Sequence, residues 1–161
     1  MDLSAPLLLI DMPCAAPSLA PSVEVREMTA ADLKHGFFTA LASLTDVGLN
    51  ADEAVPFLAE RAAAGIRTYV ACAGTEVLGT ASLLVERKFL HRGGLVGHIE
   101  DVAVRRDLQL QGIGTALVRH ATEEARRLGC YKVILNCFEG RVGFYERLGY
   151  HRHDSGLRFD C

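Results

Sequence analysis

Gly97-His98-Ile99-Glu100-Asp101-Val102-Ala103-Val104, followed by Gln109-Leu110-Gln111-Gly112-Ile113-Gly114, is the stretch on which the reading of this chain turns. Residues 101–104 are strand-like. Ile113, Leu117, Ala121, Ala125 and Leu128 then recur at helical spacing. Between them lies a short polar turn whose glycines open the helix. Such a turn presents free backbone N–H groups and the positive end of the helix dipole. It is a cradle for a phosphate or pyrophosphate, and glycine lets the ligand's oxygens reach the backbone.

Two phosphate-binding patterns are excluded. The segment lacks the Gly-Lys-Ser/Thr ending of a P-loop and the three spaced glycines of a dinucleotide fingerprint. The pattern that fits is Gln-x-x-Gly-x-Gly at 109–114, which resembles the acetyl-CoA pyrophosphate loop of the GNAT acetyltransferase superfamily. Leu110 stands where that loop usually has glycine, and Gly112 and Gly114 remain.

Bulk properties narrow the function further. The chain has 161 residues, the length of one domain. Lys plus Arg total 17 and Asp plus Glu 20, for a net charge of −3. That balance gives no support to nucleic acid or an anionic membrane as the main partner. No apolar run approaches the roughly 20 residues of a membrane span. The apolar patch near the start lacks a basic n-region, so no secretory signal is expected. Cysteines stand at 14, 72, 130, 137 and 161, an odd number without metal-ligand spacing. Reduced intracellular thiols and no metal follow as expectations. With no Ser-Lys-Leu-like C-terminal address, the cytoplasm is the expected compartment, a microbody staying open.

Residues 1–21 carry Pro6, Pro13, Pro17 and Pro21 among small residues and read as an irregular tail. A folded domain over 22–161 follows. Residues 23–28 alternate like a strand. Thr29 with Asp32 resembles a capping box, ahead of a helical stripe of Leu33, Phe37, Leu41 and Leu44. Asn50 with Glu53 marks a second helix start, with Pro56 disturbing its first turns. Residues 69–73 and 77–85 read as strands joined by a tight hairpin. The glycines of 92–97 mark a loop, and a strand over 99–104 follows. After the helix that ends at Gly129 come a strand over 131–137, a short helix over 142–148 and a last strand beyond Tyr150. The order is β-α-α-β-β-β-α-β-α-β, a mixed central sheet flanked by helices in the α/β class.

Several blocks sharpen the resemblance. They are Gly36-Phe37-Phe38 with Leu44-Thr45 and Gly48, Glu86-Arg87-Lys88-Phe89-Leu90-His91, the run 97–104, Gly129-Cys130-Tyr131-Lys132 and Val142-Gly143-Phe144-Tyr145-Glu146. Together these resemble the glucosamine-6-phosphate N-acetyltransferase family over residues 23–158. The resemblance implies a GNAT fold, acetyl-CoA as cosubstrate and glucosamine 6-phosphate as acceptor, in UDP-N-acetylglucosamine biosynthesis. It implies that Glu100, Asp101 and Val102 meet the sugar amine. It places the pantetheine arm along Val102, Ala103 and Val104, and the pyrophosphate on Gln109, Leu110, Gln111, Gly112, Ile113, Gly114 and Thr115. Arg141, Val142 and Tyr145 complete the acetyl-CoA side. It also implies a homodimer in which Arg158 reaches the partner's site.

The chemistry supports those roles independently. An amine attacking a thioester needs positioning, a proton sink, an oxyanion site and an acid for the leaving thiolate. Two acids together in an apolar strand, Glu100 and Asp101, are unusual strand residues and suit the amine. Tyr145 suits the thiolate, because a phenol's pKa of about 10 is close to a thiol's ~8.5. The substrate phosphate needs cations and donors, for which Lys88, His91 and Arg158 with the Thr45 hydroxyl are candidates. Two departures stand out. Asn136 replaces the family's acid and can only hydrogen-bond a sugar hydroxyl, which leaves amine charge to Glu100 and Asp101. Arg141 replaces an asparagine. Two other functions stay open: a GNAT enzyme acting on a protein or polyamine amine, and a CoA-binding regulator without catalysis.

Overall fold

The computed structural model describes residues 22–109 and 111–160. The expected tail (1–21), the Leu110 position of the loop and Cys161 lie outside the described residues.

Five strands form one sheet in chain order: β1 (Glu24–Glu27), β2 (Ile66–Ala73), β3 (Glu76–Arg87), β4 (Leu95–Val104) and β5 (Cys130–Leu135). The first three pairings are antiparallel, and β4 with β5 is parallel. The sheet is therefore mixed, as the sequence implies. The helices are α1 (Phe37–Leu41), α2 (Ala51–Ala63), the single kinked turn α3 (Leu90–Gly93), α4 (Ile113–Arg127) and α5 (Val142–Glu146).

Helix α4 covers one sheet face through the stripe read from the sequence. Ile113, Leu117, Ala121 and Ala125 are buried against Tyr69, Ala71, Ala81, Leu83 and Ile99. On the other face, α1 and α2 lie over β2 and β3. Asn50 caps α2 by accepting from the N–H groups of Asp52 and Glu53, each at 3.0 Å, and Glu53 returns a bond to the Asn50 N–H. This box nucleates the first turn, and the helix runs on through Pro56.

Five expectations need correction. The stripe from Leu33 to Leu44 is not one helix. Gly36, at φ 94°, separates a 3-10 turn (Ala30–Lys34) from α1. The glycines of 92–97 do not all mark a loop, because β4 already starts at Leu95. A Cβ on Gly97 would lie 3.1 Å from the Ala125 Cβ and 3.2 Å from Leu83 Cδ1, so this glycine serves helix–sheet packing. The strand over 131–137 ends at Leu135, and the helix over 142–148 ends at Glu146. The last strand beyond Tyr150 does not form. Residues 151–160 are exposed, pair with no strand among the described residues, and are interrupted by Asp154 at φ 54°.

Candidate active site

The site grows out of one irregularity in β4. Thr80 pairs with Ala103, but the next register pair is Ser82 with Glu100. Asp101 and Val102 therefore both face Ala81, which is a β-bulge. Asp101 takes φ 53°, a left-handed conformation that Asp and Asn tolerate better than other side chains. On its other side β4 pairs with β5 only as far as Ile99 with Leu135. Past that point β4 continues to Val104 while β5 has ended. The edge of Val102, Ala103 and Val104 is thus bonded to β3 on one side and open on the other. An extended ligand can add to such an edge as a further strand.

The glycine loop lies at the end of that edge. Gly112 adopts φ 84° and has open space where a Cβ would point. The first helical bond near the start of α4 runs from the Ala116 N–H to the Gly112 carbonyl. Among the described residues the N–H groups of Ile113, Gly114 and Thr115 have no backbone acceptor, as a pyrophosphate cradle requires. A Cβ on Gly114 would stand 3.6 Å from Phe144 and Val104, so the helix start, the β4 edge and α5 are contiguous. The residues present fit acetyl-CoA: an open strand edge for the pantetheine and free amides for the pyrophosphate. Gln109 and Gln111 flank the loop and are exposed.

Tyr145 comes from α5 and packs half-buried against Phe144 and Tyr150, whose hydroxyl lies 2.6 Å from Thr122 Oγ1. Burial pushes the Tyr145 phenol above its ordinary pKa, and the neighbouring Cys137 adds to this. Glu100, Asn136, Val142 and Tyr145 line one cleft of about 810 Å³ along β5. Asp101 opens instead onto a groove of about 330 Å³ under α1 and α2. The structure thus gathers Glu100, Asn136 and Tyr145 and turns Asp101 towards Arg61, 3.9 Å away.

A family model described as Acetyltransferase (GNAT) family matches residues 32–150. The chain belongs to the GNAT acetyltransferase family. Among its curated relatives is a probable glucosamine 6-phosphate N-acetyltransferase 2 of Oryza sativa subsp. japonica, 38% identical over 80% of this chain and 82% of that one. A glucosamine 6-phosphate N-acetyltransferase of Trypanosoma brucei brucei is 43% identical over 62% of this chain and 69% of its own. Among solved structures, a Trypanosoma brucei acetyltransferase superposes with TM-score 0.81 at 37% identity, covering 87% of this chain and all of that one. The Arabidopsis thaliana glucosamine-6-phosphate N-acetyltransferase also reaches 0.81, at 27% identity over 86% and 98%.

The remaining residues of this GNAT site are dispersed. Thr45 is exposed in the loop after α1. Lys88 holds Glu86 at 2.6 Å, and the same carboxylate oxygen lies 3.0 Å from His98 Nε2. Lys88 lowers the Glu86 pKa, with burial opposing and His98 assisting. His91, at φ 50°, lays its ring 4.5 Å from that of Tyr131. Arg141 ends an exposed 3-10 turn before α5. Arg158 is 86% exposed and pairs with Asp160 at 2.6 Å. Among the described residues, Thr45, Lys88, His91 and Arg158 make no bonds with one another. Two site neighbours were missed by sequence reasoning. His98 shares the sheet face of Glu100 by the period of two, a signal that was available. Arg61 meets the bulge from α2, which no local pattern reveals. No helix among the described residues is long and apolar enough to cross a membrane.

Proposed function

We propose that this GNAT enzyme transfers acetyl from acetyl-CoA to the 2-amino group of D-glucosamine 6-phosphate, releasing CoA and N-acetyl-D-glucosamine 6-phosphate. One observation carries the reading. The bulged, open edge of β4 presents Glu100 beside Asn136 and Tyr145, in a chain whose relatives bear that enzyme's name.

Transfer is direct, within a ternary complex, in the domain spanning 22–161. The acetyl carbonyl lies against the N–H groups of the Val102–Val104 edge, which take the oxyanion. The sugar lies against Glu100, Asn136 and the backbone of Asp101 and Val102, the Asp101 side chain being turned away towards Arg61. The free amine attacks the carbonyl carbon, and its proton passes to the Glu100 carboxylate or an ordered water. The C–S bond then breaks, and the Tyr145 phenol donates its proton to the departing thiolate. Because burial holds that phenol protonated, Tyr145 is ready as an acid.

The sugar's phosphate goes to Thr45, Lys88 and His91, with Arg158 of the partner subunit. A homodimer is supported by the open outer edge of β5 and by Phe138, Leu157 and Phe159, which are all more than four-fifths exposed. The reaction belongs to UDP-N-acetylglucosamine biosynthesis in the cytoplasm. The test is CoA release from acetyl-CoA with glucosamine 6-phosphate, glucosamine or a lysine peptide as acceptor. Turnover confined to the phosphorylated sugar is expected. Equal turnover with the peptide overturns the substrate assignment.

A further inference from the structure

We propose that Arg61 is a positioning residue, which holds the β4 bulge, and with it the open strand edge, in the form that binds acetyl-CoA. The proposal rests on reading that edge as the acetyl-CoA site.

A positive φ outside glycine is disfavoured, less so for Asp than for most side chains, and favourable surroundings help to hold it. Asp101 is such a residue, at φ 53°. The group that reaches it is the Arg61 guanidinium, from α2. Its Nη2 donates to Ser82 Oγ at 2.7 Å and to Thr68 Oγ1 at 3.4 Å, and lies 3.9 Å from Asp101 Oδ2. Ser82 is the β3 residue paired with Glu100, next to the slip, and Thr68 is its partner on β2. One guanidinium thus ties three adjacent strands together at the bulge. Both hydroxyl residues are buried, so Arg61 is anchored there although its side chain is 36% exposed. An exposed ion pair by itself contributes little. The anchoring on two fixed hydroxyls lets this one act on backbone geometry.

The consequence lies further along the strand. If Asp101 relaxed to an ordinary strand conformation, the bulge would be lost and the register would slip by one residue. Val102, Ala103 and Val104 would then exchange faces, and their N–H and C=O groups would exchange edges. The open edge would no longer present the same donors and acceptors to a ligand.

The test measures CoA affinity by calorimetry, which needs no turnover, on wild type, R61A, R61K, D101G and the R61A/D101G double variant. Thermal melts confirm folding. Glycine adopts positive φ without support. R61A is therefore expected to weaken CoA binding about tenfold, within the coupling range of contacting residues, and R61K to recover part of it. In the D101G background, taken as its own baseline, R61A is expected to have no further effect on CoA binding. Wild-type affinity in folded R61A overturns the proposal. So does an equal loss with and without D101G. Should R61A fail to fold, R61Q in both backgrounds makes the same comparison. Failure of wild type to bind CoA overturns the acetyl-CoA site itself and this proposal with it.

Discussion

Glu100 and Asn136 each stand one residue beyond Ile99 and Leu135, the last pair joining β4 to β5, and both line the cleft that opens there. A carboxylate and an amide therefore share the place to which the proposed reaction brings the acceptor's amine. The amide cannot take a proton, so the proposed mechanism gives that task to Glu100. E100Q is expected to lower kcat about 100-fold, a typical general-base loss. N136D places an acid across the same gap. In the E100Q background it is expected to restore about tenfold, a part of the general-base contribution. Steady-state kinetics of the two single variants and the double variant decide it. A double variant no faster than E100Q removes the proton-sink role from this pair of positions.

Tyr145 is predicted to act on kcat. Its phenol is held above the usual value by burial, so it stays protonated throughout the neutral range. Y145F keeps the packing against Phe144 and Tyr150 and removes only the acid. A fall in kcat of about 100-fold with KM within about twofold is expected. Wild-type kcat should show no inflection from this tyrosine between pH 7 and about 9, since its ordinary pKa of about 10 is already above that range. Unchanged kcat in Y145F would assign the thiolate's proton to another donor.

Two glycines separate ligand binding from stability. Gly112 has φ 84° with nothing close to a Cβ, so alanine there meets a conformational cost of about 1–2 kcal/mol rather than a clash. G112A is expected to raise the KM for acetyl-CoA about tenfold, because the amides that follow it turn away. Gly97 is packed under Ala125 and Leu83. G97A is expected to lower Tm with the KM of the folded enzyme unchanged. The reverse pattern in the two variants would contradict the roles given to the loop and to the packing.

What the sequence made legible follows from the range of the forces involved. The α4 stripe, the Asn50 cap and the glycine loop are local patterns, and the structure contains all three. Glu100 on β4, Asn136 just past the end of β5 and Tyr145 on α5 line one cleft. The bulge was not legible, because it depends on how β3 pairs with β4 and on an arginine from α2, all distant in sequence. Gly36 defeated the first helix because periodicity does not register a single left-handed residue. The missing last strand has a similar cause. Residues 151–160 have no partner strand among the described residues, and a strand forms only by pairing.

Asp32 ties β1 to the turn before α1, and its protonation gives an acid-stability prediction. Its carboxylate accepts both Arg26 nitrogens, at 2.7 and 2.8 Å, together with the Thr29 N–H and hydroxyl. The Arg26 bond is the largest cause that lowers its pKa from 3.8 to about 2. Burial opposes the shift, and the Thr29 bonds reinforce it. Asp32 is 2% exposed, so solvent screens little of this. A carboxylate whose folded pKa is depressed stabilises the fold fully above its unfolded pKa and loses that stabilisation as pH falls through the folded value. The window here therefore runs from about pH 4 down to about pH 2, and the stabilisation lost across it is about 2 kcal/mol. D32N removes the charge and leaves the Arg26 guanidinium facing a neutral amide. Denaturant melts at pH 6 should find D32N less stable than wild type by about that amount. Repeated towards pH 2, the gap between the two proteins should narrow, because only wild type has this carboxylate to protonate. A gap independent of pH would mean that the Arg26–Asp32 contact acts through shape and not through charge.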